Sequence, residues 1–234
     1  MLTTAESVER ICARAKPLLC LDACAVLDIL RNPTRDKFSG GHARAATELL
    51  GWAESTPPKL SLLMNATVRE EITAHLDEVE AESSRSLETL DEITRRAVGV
   101  IEAVGVSLPR PAVRLGDLGF PAAARAIAER FVGAAHLVED EEGSMVRAFE
   151  RVGRSAAPAT RSKQSAKDCL IVETYLHIAR ELRASGFAEK IVLLTTNTTD
   201  FTAGPRSQLH ADLVPDFSSV GMTLATDFLM ARYA

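Results

Sequence analysis

Four acids, Asp22, Glu71, Asp168 and Asp200, stand at two strand ends and two helix starts, and such positions suit work on charged ligands. Asp22 follows Leu18, Leu19, Cys20 and Leu21, a run with no polar face that reads as a strand buried on both sides of a sheet. Asp200 lies in Thr195-Thr196-Asn197-Thr198-Thr199-Asp200-Phe201, the polar stretch after the apolar run Ile191-Val192-Leu193-Leu194. Glu71 and Asp168 fall near the starts of helices. A parallel sheet gathers strand ends and the helix starts that follow them on one edge, where open α/β sheets bind ligands. Four carboxylates so gathered stay ionised only with cations nearby. Plainer roles exist for each, and Asp22 would serve equally well as the N-cap of the helix after it.

The elements that must position these acids can be read from periodicity. Ala25, Val26, Ile29 and Leu30 recur at helical spacing, so the chain turns from strand to helix close to Asp22. Before it, Thr3 to Ala15 reads as a short helix with Val8, Ile11 and Cys12 on one face. Arg31 to Ser39 reads as a loop, and a helix follows Gly40-Gly41 until Thr56-Pro57-Pro58 stops it. Leu60 to Met64 is a second strand, with Asn65 as the cap of the helix ATVREEITAHLDEVE. Val68, Ile72, His75 and Val79 define its apolar stripe, and at about 100° per residue Glu71 falls on that stripe while Glu70 does not. KDCLIVETYLHIAREL is a further helix with Asp168 in its first turn, where the helix dipole favours an anion. Its inner face holds Leu170 or Ile171, then Tyr175, Ile178 and Leu182, and Glu173 and Glu181 point more toward solvent. Met222 to Tyr233 supplies a final strand and short helix.

From Ala81 to about Arg154 the chain is helix-rich with no strand signal, broken at Leu108-Pro109-Arg110-Pro111 and resumed at Phe120-Pro121. This range, about 81–154, reads as a helical insertion within one domain spanning 1–234. Its acidic run Glu139 to Glu142 reads as solvated surface. With 234 residues, of which 46% are hydrophobic and 25% charged, the chain has enough apolar material for a real core. A net charge of −5 argues against coating nucleic acid by bulk positive charge and leaves room for a local basic groove. Such a groove is suggested by Arg147, Arg151, Arg154, Arg161, Lys163 and Lys167, set against one acid, Glu150, although a solvated Ala/Ser/Arg loop has the same composition. Cys12, Cys20, Cys24 and Cys169 form no CxxC pair and read as reduced core residues. His42, His75, His136, His177 and His210 lie at no metal spacing, and His75 reads as packed. No signal-peptide pattern and no apolar run near the ~18 residues of a membrane span are present, so the expectation is a cytoplasmic protein with no membrane partner.

The set LDACAVLD, VREEI, KDCLIVETYL and LLTTNTTDF resembles the PIN domain, the nuclease fold of many bacterial toxin ribonucleases, in a variant with a longer helical insertion before the third acid. The resemblance covers 17–30, 60–80 and 165–202, more weakly Leu209 to Leu213, and implies a three-layer α/β/α fold around a mainly parallel sheet. It implies an acidic quartet of Asp22, Glu71, Asp168 and Asp200, with Thr195 and Asn197 as polar helpers. One departure is that such domains carry Thr, Ser or Asn just after the first acid, where this chain has Ala23 and Cys24. Hard carboxylates without His or Cys partners select one or two Mg²⁺ or Mn²⁺ ions. The expected activity is hydrolysis of RNA phosphodiesters, with Asp22 and Asp168 as principal metal ligands, Glu71 holding a water and Asp200 completing the shell. Arg161, Lys163 and Lys167 would grip the phosphate backbone. An antitoxin protein and a second copy of the chain are the partners the resemblance brings with it. Two rivals stand beside this reading. A haloacid dehalogenase phosphatase needs a second Asp two positions after the first, where Cys24 stands; a metal-free PIN-like scaffold would bind RNA or protein without cleaving.

Overall fold

The computed structural model describes residues 1–31, 33, 35, 39–107, 113–159, 165–203 and 208–234. Among these residues, five short strands form one parallel sheet: β1 (Leu18–Leu21), β2 (Ser61–Asn65), β3 (His136–Val138), β4 (Ile191–Leu194) and β7 (Met222–Ala225). Their order across the sheet is β3-β2-β1-β4-β7. Leu18 is in register with Ser61 on one side and Ile191 on the other, which makes β1 the central strand. Every residue of β1, β2 and β4 is buried, as the unbroken apolar runs require of strands covered on both faces. Two further two-residue strands, β5 (Thr202–Ala203) and β6 (Gln208–Leu209), form a separate antiparallel ribbon.

Among the described residues, ten α-helices surround the sheet: α1 (Thr4–Arg14), α2 (Ala23–Leu30), α3 (Gly40–Glu54), α4 (Ala66–Ala103), α5 (Phe120–Ala134), α6 (Glu142–Gly153), α7 (Ala166–Ala184), α8 (Thr198–Phe201), α9 (Val214–Val220) and α10 (Phe228–Tyr233). One group packs α2 on α4 and α5, and α3 on α5 and α10; another packs α7 on α1, α6 and α9. The molecule is therefore α/β with a parallel central sheet, compatible with three α/β/α layers. The core joins Leu21, Leu63 and Leu193 of the strands to Val26, Val68, Phe131 and Leu176 of the helices.

Three features correct the reading of the sequence. The range 81–154 is not wholly helical, because β3 lies inside it and pairs with β2 through Leu63 and His136. Three residues at the edge of a sheet carry too little apolar pattern to be recognised; here Leu2 adds an isolated bridge on the far side of Val138. The stripe of α4 passes through Leu76, not His75: Val68, Ile72, Leu76, Val79, Ser83 and Leu87 are buried, while His75 is exposed beside Glu78. Glu71 is half-buried and Glu70 exposed, as the 100° geometry requires.

The third correction concerns α7. Glu173 does not point to solvent; it is only 4% exposed and forms ion pairs with Arg151, itself 9% exposed, and with Arg147. Arg151 also reaches Asp216 and the carbonyl of Ala157. The amide of that same Ala157 donates to Asp212. Two cations assigned to a basic face thus hold α6, α7, α9 and the chain leading into α7. Sequence composition cannot separate a phosphate-binding arginine from one that neutralises a buried glutamate. None of the described helices is long and apolar enough to cross a membrane.

Candidate functional site

The carboxyl edge of the sheet collects the polar side chains of interest. Asp22 leaves β1 in extended conformation, and its amide donates to the carbonyl of Leu194 at the end of β4. It occupies the N-cap position of α2, yet its side chain makes no capping hydrogen bond. Instead one carboxylate oxygen, Oδ2, accepts from Cys24 Sγ at 2.9 Å and from Thr195 Oγ1 at 2.5 Å. Capping is therefore not what places this acid. Cys24 occupies the position where a hydroxyl or amide is expected after the first acid, and its thiol does that donor's work. Burial, and next the charge of Asp22, push the Cys24 thiol well above its ordinary range, so it stays protonated and able to donate. Its sulfur accepts in turn from the amide of Thr196.

Asp22 is 5% exposed, and desolvation pushes its carboxyl up to about 6. The hydrogen bonds from Cys24 and Thr195 oppose that rise, while the charges of Asp168 and Glu71 add to it. Asp168 and Glu71 thus each lie close enough for their charge to act on Asp22. Asp168 sits in the first turn of α7, where it accepts a hydrogen bond from Ser165 Oγ. Asp200 joins by a different route: Asn197 Nδ2 donates to it at 2.8 Å, and the Asn197 amide donates to Thr195 Oγ1 at 3.1 Å. Thr195 and Asn197 therefore connect the first acid to the last. Lys167 is exposed next to Asp168, whereas Arg161 and Lys163 lie outside the described residues.

A second polar web, absent from the sequence reading, stands beside the first. Asn65 caps α4 by accepting from the amide of Val68. Its own amide donates to the hydroxyl of fully buried Tyr175, which donates onward to the carbonyl of Leu21 at 2.5 Å. Asp140, two residues past β3, accepts from Asn65, Thr67 and Thr174. The signal that could have revealed Asp140 is the one that revealed Asp22, an acid just past a short apolar run, here His136-Leu137-Val138. It was masked by the neighbouring acids of 139–142, which look like surface.

In kind, the donors fit a hard divalent cation: they are carboxylate oxygens, those of Asp22 and Asp200 are buried, and no lysine or arginine pairs with Asp22 among the described residues. In arrangement, no group of three or more His, Cys, Asp or Glu side chains among the described residues is disposed to hold a metal ion. Comparison with family models, curated proteins and solved structures finds no match to this chain.

Proposed function

We propose that the chain is a metal-dependent nuclease of PIN-like type that hydrolyses RNA phosphodiester bonds. The observation that carries this reading is Asp22: a buried carboxylate at the end of the central strand, within the fields of Asp168 and Glu71, and without a cationic partner among the described residues. Burying uncompensated negative charge is strongly unfavourable, so a site of this kind favours a ligand that brings positive charge. Asp22 and Asp168 would hold Mg²⁺ or Mn²⁺, with Glu71 and Asp200 completing the surroundings. When bound, such an ion activates water and neutralises charge at the scissile phosphate. The chain's own residues do the remaining work. Thr195 and Cys24 fix the Asp22 carboxylate and Asn197 fixes Asp200, while Glu71 would accept a proton and the exposed Lys167 would meet the phosphate backbone.

A metal-free scaffold is the second reading, favoured by the lack of a ready three-ligand group among the described residues. Calorimetric titration with Mn²⁺, paired with cleavage of single-stranded RNA and DNA, separates the two. The nuclease reading expects one saturable Mn²⁺ site and Mn²⁺-dependent RNA cleavage, both lost in Asp168→Asn. Heat-free titrations, or cleavage that persists in Asp168→Asn, would overturn it.

A further inference from the structure

We propose that Asp140 is a positioning residue that ties the start of α4 to the middle of α7 and thereby sets Glu71 and Asp168 against Asp22. Between them its two oxygens accept from α4 and α7, the helices that carry Glu71 and Asp168, and from Asn65 at the end of β2. Oδ1 accepts from Asn65 Nδ2 at 2.5 Å and from Thr174 Oγ1 at 3.1 Å. Oδ2 accepts from the Thr67 amide at 3.0 Å and from Thr67 Oγ1 at 2.7 Å.

The spacing along each helix makes these anchors effective. Thr67 lies one turn before Glu71 on the same face of α4, about 6 Å along the axis. Thr174 lies six residues after Asp168 on α7, about 9 Å along the axis. Over such short spans a helix moves as a rigid unit, so the anchor's position becomes the position of the acid. The next residue of α7, Tyr175, adds the third element, because its hydroxyl donates to Leu21, the neighbour of Asp22. A cap for α4 alone does not account for this arrangement, since Asn65 already caps the helix through Val68 and needs no contact with Thr174 to do so.

The test compares Asp140→Ala, Asp140→Asn and Thr174→Val by amide hydrogen exchange and by Mn²⁺ calorimetry. Its second arm rests on the nuclease reading and its first does not. In Asp140→Ala, exchange at the start of α4 and in the first two turns of α7 should quicken by about tenfold, with the sheet unchanged. Thr174→Val, nearly the same shape, should quicken α7 and leave α4 protected. Mn²⁺ affinity should fall about tenfold or more in Asp140→Ala and recover in part in Asp140→Asn, which keeps one acceptor oxygen. Quickening confined to α4 would reduce Asp140 to a local cap and overturn the proposal, as would wild-type Mn²⁺ affinity in Asp140→Ala. If the wild type binds no Mn²⁺, the nuclease reading fails by itself and the exchange pattern alone decides the role of Asp140. Should Asp140→Ala fail to fold, Asp140→Asn and Thr174→Val carry the same comparison.

Discussion

Two buried carboxylates are handled in opposite ways in this molecule. Glu173 is enclosed by guanidinium groups: Arg151 meets it at 2.5 Å and Arg147 at 3.2 Å. Asp22, buried to a similar degree, receives from the described side chains a thiol and a hydroxyl and no cation, and its neighbours Asp168 and Glu71 share its sign. The first charge is matched inside the protein and serves to hold helices together. The second is left raised in free energy, an expense a fold tolerates where a ligand is to be met. Burial by itself therefore says little about purpose; what surrounds the buried charge separates structure from site.

The sharpest way to break this comparison is to neutralise each acid in turn. Asp22→Asn should lower Mn²⁺-dependent RNA cleavage by at least about a hundredfold while leaving thermal stability equal or higher, measured by cleavage kinetics and calorimetric unfolding. Glu173→Ala should do the reverse to stability. It takes from Arg151 and Arg147 their shared buried partner, leaves Arg151 with Asp216 and the Ala157 carbonyl, and should cost about 1–3 kcal/mol in urea unfolding. If both variants lost stability alike, the distinction between the two acids would collapse.

A pH series sharpens it further. The carboxyl of Asp22 rises from about 3.8 in the unfolded chain to about 6 on folding, so the folded state holds more protons between those values. Stability contributed by Asp22 is therefore fully present below about pH 4 and lost as pH rises to about 6, on the order of 3 kcal/mol in all. His136 works in the opposite direction. Desolvation, with Arg14 and Arg10 nearby, lowers it to about 4, so it adds stability as pH rises through the same window. The informative quantity is the wild-type curve minus the Asp22→Asn curve, in which His136 cancels. A flat difference between pH 4 and 6.5 would show that Asp22 is not desolvated as described.

The smallest effect concerns the thiol. Cys24→Ala removes one donor from Asp22 and should weaken Mn²⁺ binding by about five- to tenfold, roughly 1 kcal/mol, while Cys24→Ser should restore most of it. Equal behaviour of the two variants would mean that Cys24 only fills space.

Much of this arrangement was legible in the chain. Strands β1, β2 and β4 show themselves because a strand covered on both faces must be apolar throughout, and Glu71 separates from Glu70 because helical geometry puts them on different faces. The departure at Cys24 was visible as a residue type, yet its role as donor to Asp22 depends on the backbone turning there. The failures share a cause. Glu173, Arg151 and His75 were assigned from local pattern, whereas their surroundings are made by segments distant in sequence, such as Asp216 of α9 for Arg151.

What the sequence determined by itself is the set of short-range facts: which runs are apolar, where helices begin, and which acids stand at strand ends, because these follow from periodicities of two and 3.6 residues. Only the tertiary structure decided that β3 joins the sheet, that Glu173 is matched by arginines while Asp22 is not, and that Asp140 gathers α4 and α7. Those outcomes depend on which side chains fill the space around a charge, and that is settled by packing between residues tens to hundreds of positions apart.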